Sequence, residues 1–499
     1  MISLSLQFKE KLIELYYLSS ALSVLHWDRE VNMPKKGVLA RAQTTAALAG
    51  VLHEKLLSIK PFLLPLKSSL DDGKLDEEVS TIVREVWREF EKAEKLPTDF
   101  VKELARVTSE AHATWAEARA KSDFAKFAPH LKKIVELKRK EAKLLGYKDS
   151  PYDALLDTFE PYATAEEMSI TLEELKDFLI PFIQKIKNSS VKVDRNILKG
   201  EFPIEKQVKF NRFVAEKMGY DLGAGRIDVS THPFTIHFHP QDVRFTTRYD
   251  KADVFPALMA TIHEAGHALY EQGILVENFG TPLGESISLG IHESQSRSWE
   301  NLIGRGKPFW TYLYPELQKE FPEPFAKISL DNFYRALNCV EPSFIRVEAD
   351  EVTYNLHIIL RFEIEKELVE GSIEVDDLPK IWNDKFKEYF GLEVPDDSLG
   401  VLQDVHWSGG SIGYFPTYTL GNLYSAQFYS ASKRDIPDLE EQITKGEFTN
   451  FLQWLRKNIH IHGKLYTARD LVMDVTGEPL KSKYFIDYLK KKYSEIYKL

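Results

Sequence analysis

Residues 252–272 read ADVFPALMATIHEAGHALYEQ, and both the fold and the chemistry of the chain turn on this stretch. Val254, Leu258, Ile262 and Leu269 recur at helical spacing and Gly273 is a natural stop, so the run is expected to be one amphipathic helix. On a helix, positions i and i+4 share a face one turn apart. His263 and His267 can then present two imidazole nitrogens to one metal ion. Glu264 lies beside the open side of that ion, where a carboxylate can take a proton from water. The small pair Ala265-Gly266 leaves room for a second backbone or a substrate to approach.

Two histidines do not complete a site, because catalytic zinc usually takes a third protein ligand and keeps one position open. The next helical segment, roughly Gly284 to Ile303, carries His292-Glu293-Ser294-Gln295, and Glu293 can ligate from that second helix. Gly290, Ser294 and Ser298 repeat every four residues, which suits close packing of the two helices. Glu277, Glu285 and Glu300 compete for the third place; spacing favours Glu293 without deciding the matter.

Most of the remaining chain reads as long amphipathic helices. Glu77–Lys95, Pro97–Lys121, Ala128–Leu145 and Ala165–Lys187 all carry apolar residues at three- and four-residue spacing, with charged outer faces. Breaks fall at Asp71-Asp72-Gly73, Pro161, Gly200 and Asp221-Leu222-Gly223-Ala224-Gly225. Ser230 to Tyr249 is the exception. There Phe234–His239 and Val243–Arg248 alternate as strands do, joined by a turn at Pro240-Gln241-Asp242, so a short hairpin is expected just upstream of the His263 helix. An edge strand in that place suits an extended peptide held by strand addition.

Composition narrows the partners. A chain of 499 residues, 43% hydrophobic and 12% aromatic, can bury a large core. Its net charge of -11 argues against nucleic acid or an anionic membrane as the main partner. Met1 to Tyr17 mixes charges and apolar residues at helical spacing, unlike an export signal or anchor, and no apolar run approaches the ~18 residues that span a bilayer. The single cysteine, Cys339, excludes internal disulfides, and a cytoplasmic location is expected. Abundant Lys and Glu with few Met and Cys hint at a thermophilic source.

Further constellations stand out. The hairpin offers His232-Pro233-Phe234 and Asp242-x-Arg244-x-Thr246. Ile345-Arg346-x-x-Ala349-Asp350 is expected on a later helix, where Arg346 and Asp350 look like an ordinary i, i+4 ion pair. Gly400-x-x-Gln403-Asp404-x-His406-Trp407 runs into a stretch of Gly, aromatic and polar residues that includes Tyr414 and Tyr418. Such a loop suits donors that meet the negative charge developing on a reacting carbonyl.

Together these strings resemble the thermostable carboxypeptidase (Taq-type) family of metallocarboxypeptidases, in the family's order from residue 232 to 407. Leu25-His26-Trp27-Asp28 and Pro151-Tyr152-Asp153-Ala154-Leu155-Leu156 extend the likeness to nearly the whole chain. The resemblance implies a mainly α fold: a large helical saddle with a deep groove, similar to neurolysin and angiotensin-converting enzyme, with the small β element by the metal helix. It implies one catalytic domain over 1–499, which we divide into a helical lobe to about 225 and a motif-bearing lobe over about 226–499. It implies one divalent metal, zinc with cobalt as an effective substitute, and frequently a homodimer. Carried over by position, His263, His267 and Glu293 would bind the metal and Glu264 would be general base; the third ligand is settled by the resemblance alone.

The reaction expected is release of single C-terminal residues from peptides. The metal lowers the pKa of its water from about 16 to about 7, and Glu264 takes the proton and passes it to the leaving amine. His406 and a tyrosine, Tyr414 before Tyr418, would donate to the oxyanion. The free carboxylate of the substrate calls for an arginine fork, with Arg346 preferred to Arg244, and His232 and Tyr418 are further substrate contacts. Two alternatives are open: a zinc oligopeptidase cutting short peptides internally, and a non-catalytic peptide-binding protein with a structural metal.

Overall fold

In the computed structural model the described residues are 4 and 6–499, so part of the Met1–Tyr17 segment lies outside them. The chain opens with α1 (Leu6–Val31), α2 (Val38–Ser58), α3 (Lys60–Asp71) and α4 (Glu77–Lys95). Phe8, Leu12, Ile59, Leu63, Val83 and Phe90 bury their side chains together, and Leu283 from much later in the chain joins them. Asp76 caps α4 by accepting from the Val79 amide at 2.9 Å, which satisfies one of the donors a helix start leaves unpaired.

From Phe100 onward the apolar side chains form one continuous core. It begins with α5 (Thr98–Lys121), α6 (Phe124–Leu145), α7 (Pro151–Leu156), α8 (Ala165–Lys187) and α9 (Ile204–Met218). After α9 come three short strands, β1 (Gly225–Val229), β2 (Thr235–His239) and β3 (Asp242–Thr247), in the order β1-β3-β2. The expected hairpin is β2 with antiparallel β3, and its register slips between His237 and His239. β1 was not anticipated: it pairs in parallel with β3, Ile227 opposite Phe245, where the glycine cluster at 221–225 reads only as a break.

The sheet lies against α10 (Phe255–Glu271), which holds the two motif histidines and carries Pro256 in its first turn, where no amide is needed. Gly273 does not stop α10 through a left-handed backbone. A Cβ there would sit 2.3 Å from His460 Nδ1, so it is a place of close approach. The second site helix starts later than expected, at α11 (Leu289–Arg297) with Ser288 as its cap, and continues as a π-helical turn, Ser298–Ile303.

Next come α12 (Lys307–Glu320), α13 (Pro322–Phe325), α14 (Leu330–Leu337), α15 (Tyr354–Glu370), α16 (Leu378–Phe390) and α17 (Pro416–Asp435). The chain closes with α18 (Leu439–Thr444), α19 (Thr449–Asn458), α20 (Ala468–Thr476) and α21 (Lys483–Tyr497). The Ile345–Asp350 segment is not part of an α-helix: a single 3₁₀ turn, Arg346–Glu348, gives way to extended backbone at Ala349. Asp350 instead staples the entry to α15, accepting from the amides of Val352 and Thr353 at 2.9 and 3.0 Å. The fold is mainly helical, with its small sheet beside α10.

Candidate metal centre

α10, α11 and α17 meet here because glycines remove the bulk that would hold them apart. A Cβ on Gly266 would lie 2.7 Å from Ser296 Cα, and one on Gly421 would lie 2.3 Å from Glu293 Cγ. Gly290, expected to ease packing against α10, instead makes room for other partners: a Cβ there would lie 2.6 Å from Glu160 Oε2 and 3.0 Å from Tyr424 Cε2 of α17.

This packing brings His263, His267 and Glu293 together, with their ligand atoms within 4.8 Å of one another. Glu293 Oε2 lies 3.3 Å from His267 Nε2 and 3.7 Å from His263 Nε2. Ligand atoms about 2.0–2.1 Å from a tetrahedral ion are roughly 3.4 Å apart, so the three donors have the spacing and chemistry of a His2Glu cation site. Of the competitors, Glu285 pairs with Lys464 and Glu277 is exposed. Glu300 stands behind the site: His263 Nδ1 donates to its Oε2 at 2.9 Å, which points Nε2 inward.

The electrostatics favour positive charge at the centre. Burial works against an imidazolium at His263, yet Glu293, Glu300 and Glu264 outweigh it and raise its pKa to about 9. Burial holds His267 down at about 3, leaving a neutral ring with a free lone pair. Glu293 stays ionised despite burial, because Arg297 and the two histidines hold it well below the usual carboxylate range; Arg297 Nε donates to Oε1 at 2.6 Å.

Glu264 is raised by burial, and Thr235 Oγ1 lies 2.7 Å from its Oε2 and 2.9 Å from its backbone carbonyl. The strand β2 and the carboxylate are thus tied at one hydroxyl, a role that the strand pattern of Phe234-Thr-Ile-His does not signal. On the outer edge of β2, Ser20 Oγ of α1 donates to the Phe238 carbonyl at 2.6 Å.

The tyrosine-bearing loop approaches from α17. His406 Nε2 lies 3.3 Å from the Tyr418 hydroxyl, and the Tyr414 and Tyr418 rings are 5.3 Å apart. Glu293 is near enough to both phenols to help burial raise their pKa values, Tyr414 to about 12. Burial lowers His406 to about 4, so it is a neutral imidazole. Glu365 of α15 anchors the loop, accepting from Trp407 Nε1 and the Gly413 amide, both at 2.9 Å.

Arg346 is buried in this neighbourhood, but its partner is Asp404, not Asp350. Its Nη2 donates to Asp404 Oδ1 at 2.9 Å, and its Nη1 donates to the Tyr354 hydroxyl at 3.1 Å. Arg361 takes the other oxygen, Nε to Oδ2 at 2.6 Å, so one aspartate holds two guanidinium groups. Tyr354 also lies under Arg297, with the guanidinium carbon 4.7 Å from the ring centroid. Arg244 is a bidentate pair with Asp242, 2.7 and 2.8 Å, with its guanidinium over the Phe238 and Trp27 rings. His232 is exposed in the loop before β2 and is not one of the three clustered donors.

Comparison with known proteins identifies the family of the chain. The model of a family described as carboxypeptidase Taq (M32) metallopeptidase matches residues 7–493. Carboxypeptidase 1 of Bacillus subtilis is 42% identical over 495 residues, 99% of this chain and 98% of the relative. Thermostable carboxypeptidase 1 of Thermus thermophilus is 43% identical over 498 residues, 97% of each. The crystal structure of the M32 carboxypeptidase from Deinococcus radiodurans superposes with a TM-score of 0.95 at 36% identity, over 99% of both chains.

Proposed function

The chain belongs to the carboxypeptidase Taq (M32) metallopeptidase family and is a metallocarboxypeptidase acting on peptides with a divalent metal, and from that premise we propose how its residues divide the reaction. His263, His267 and Glu293 hold the ion, zinc for preference, with cobalt as an effective substitute. When bound, such an ion lowers the pKa of a coordinated water toward about 7 and polarises the scissile carbonyl. Glu264 takes a proton from the attacking water and returns it to the leaving amine. Burial, which raises its pKa, suits a carboxylate that must both accept and release a proton, and the Thr235 hydroxyl keeps it in place.

His406 and Tyr414 donate to the oxyanion; both keep their protons as neutral donors, as the burial-driven shifts support. Tyr418 completes that wall and touches the substrate. Arg346 receives the substrate's terminal carboxylate, because Asp404 and Tyr354 orient its guanidinium in a dry, aromatic pocket. Arg244 and His232 contact the substrate further out, beside β2.

We also propose that residues 1–499 act as one catalytic domain, with lobes of about 1–225 and 226–499. The apolar cluster of α1 to α4, joined by Leu283, is separate from the main core. A homodimer is proposed too, supported by the apolar residues Val38, Leu39 and Val51 exposed on α2. Among the described residues, no helix is long and apolar enough to cross a membrane. Cytoplasmic residence is a proposal resting on the lone cysteine, Cys339, and high thermal stability is expected from the name of the Thermus relative.

The observation that carries the mechanism is the His263–His267–Glu293 cluster with Glu264 fixed beside it. The test is hydrolysis of one peptide by the zinc-loaded protein, with a free and with an amidated C-terminus, followed by mass spectrometry. Stepwise loss of single residues from the free form, abolished by Glu264→Gln, is expected. Equal cleavage of both forms would remove the role of Arg346. Full activity in Glu264→Gln would remove the base.

A further inference from the structure

His263 and His267 are backed differently, and the difference has a chemical consequence. His263 donates through Nδ1 straight to a carboxylate, Glu300. His267 Nδ1 lies instead 2.5 Å from Nδ1 of another imidazole, His292. His292 Nε2 is 2.7 Å from Glu271 Oε1, and Glu271 Oε2 faces His237 Nδ1 at 3.4 Å. Glu271 is buried, while the side chain of His237 is 48% exposed on β2.

Donor and acceptor accounting allows one arrangement of protons when His267 ligates through Nε2. A ligating Nε2 bears no proton, so His267 carries its hydrogen on Nδ1. That hydrogen needs an acceptor, and 2.5 Å away is His292 Nδ1, which must then be bare. His292 therefore carries its hydrogen on Nε2 and donates it to Glu271. A histidine tautomer is set by what its second nitrogen meets.

We infer that His292 and Glu271 are positioning residues for the reaction: together they lock His267 in the tautomer and orientation that leave Nε2 free for the metal. This deepens the proposed function and rests on its assignment of His267 as a ligand. There is a reason to interpose a ring. Glu264, Glu293 and Glu300 already surround His263. A fourth carboxylate directly on His267 would crowd the centre with negative charge, and the imidazole spacer moves Glu271 one ring outward while passing on its polarity. His237 then meets the far oxygen of Glu271 at the surface.

The test is zinc affinity, measured on the full chain by competition with a chromophoric chelator, alongside thermal melting of each metal-free variant. Outer partners of metal-bound histidines typically contribute 10–100-fold in affinity. Loss in that range is expected for His292→Leu, and about tenfold for Glu271→Gln, which keeps an acceptor but loses the charge. His292→Asn restores most of the affinity, because its amide oxygen can accept from His267 Nδ1. His237→Ala, at the exposed end, changes it by less than about threefold. Wild-type affinity in both His292→Leu and Glu271→Gln, whatever happens to their melting, would make the chain mere packing and overturn the inference. A separate arm isolates the premise: His267→Ala with unchanged affinity would overturn the ligand assignment itself, and the relay with it.

Discussion

Gly421 of α17 and Glu293 of α11 are in such close contact that a methyl group on the glycine would lie 2.3 Å from Glu293 Cγ. The glycine therefore sets where the carboxylate stands relative to His267. Alanine ordinarily stabilises a helix interior by up to about 1 kcal/mol over glycine, while overpacking costs about 1–3 kcal/mol. Gly421→Ala is expected to lower stability by about 1 kcal/mol or more and to weaken zinc binding at least tenfold. Gly50→Ala, inside α2 with nothing within 4 Å, should instead raise the melting temperature; melting curves of the two variants check the contrast.

Thr235 tests the tie between strand and base. Thr235→Val keeps the shape and removes the hydroxyl that lies 2.7 Å from Glu264 Oε2. The turnover rate should fall about tenfold, with stability lower by about 1 kcal/mol, and Thr235→Ser should recover most of both. An unchanged rate constant for Thr235→Val in steady-state assays would detach β2 from the chemistry.

Asp404 holds two arginines at once, and removing its charge leaves both without a counter-ion in a dry pocket. Breaking a buried pair from one side costs about 3–5 kcal/mol. Asp404→Asn should lose that much in urea unfolding and should raise KM for free-terminus peptides. A loss below about 1 kcal/mol would mean that water or rearrangement compensates the guanidinium groups.

Glu160 predicts a pH dependence. Burial raises its pKa from 4.5 to about 7, against the hydrogen bonds from Ser288, the Gly290 amide and Tyr424. Between about pH 4.5 and 7 the folded protein keeps a proton there that the unfolded chain releases, so this group lowers stability as pH rises through that window. The effect is of order 3 kcal/mol at most and is complete above about pH 7. Glu160→Gln cannot titrate, so its stability relative to wild type should improve from pH 5 to pH 8. A constant difference would show that Glu160 is ionised throughout.

Much of this was legible from local pattern. Glu77–Lys95 and Ala165–Lys187 are α4 and α8 as read, because amphipathic spacing is a property of neighbours in sequence. The shared face of His263 and His267 follows from one turn of helix, whereas local spacing left Glu293 in competition with Glu277, Glu285 and Glu300. What escaped depends on distant partners or irregular backbone. β1 is five residues whose pairing lies on β3, and Asp404 is 58 positions from Arg346. Glu300 reaches His263 from a π-helical turn, where the 3.6-residue period used to read faces does not hold. Thr235 acts through a contact with α10, which a strand's alternation does not reveal.

Tyr354 has one face against Arg297, which holds the proposed metal ligand Glu293, while its hydroxyl accepts from Arg346, proposed for the substrate carboxylate. On the proposed roles, one phenol ring is therefore shared by the reagent side and the recognition side of the enzyme. Changes of taste for the terminal residue that shift Arg346 will be transmitted to the metal's supports. The two halves of the site cannot be bred apart; variants selected for new specificity should carry compensating changes around this ring before they recover speed.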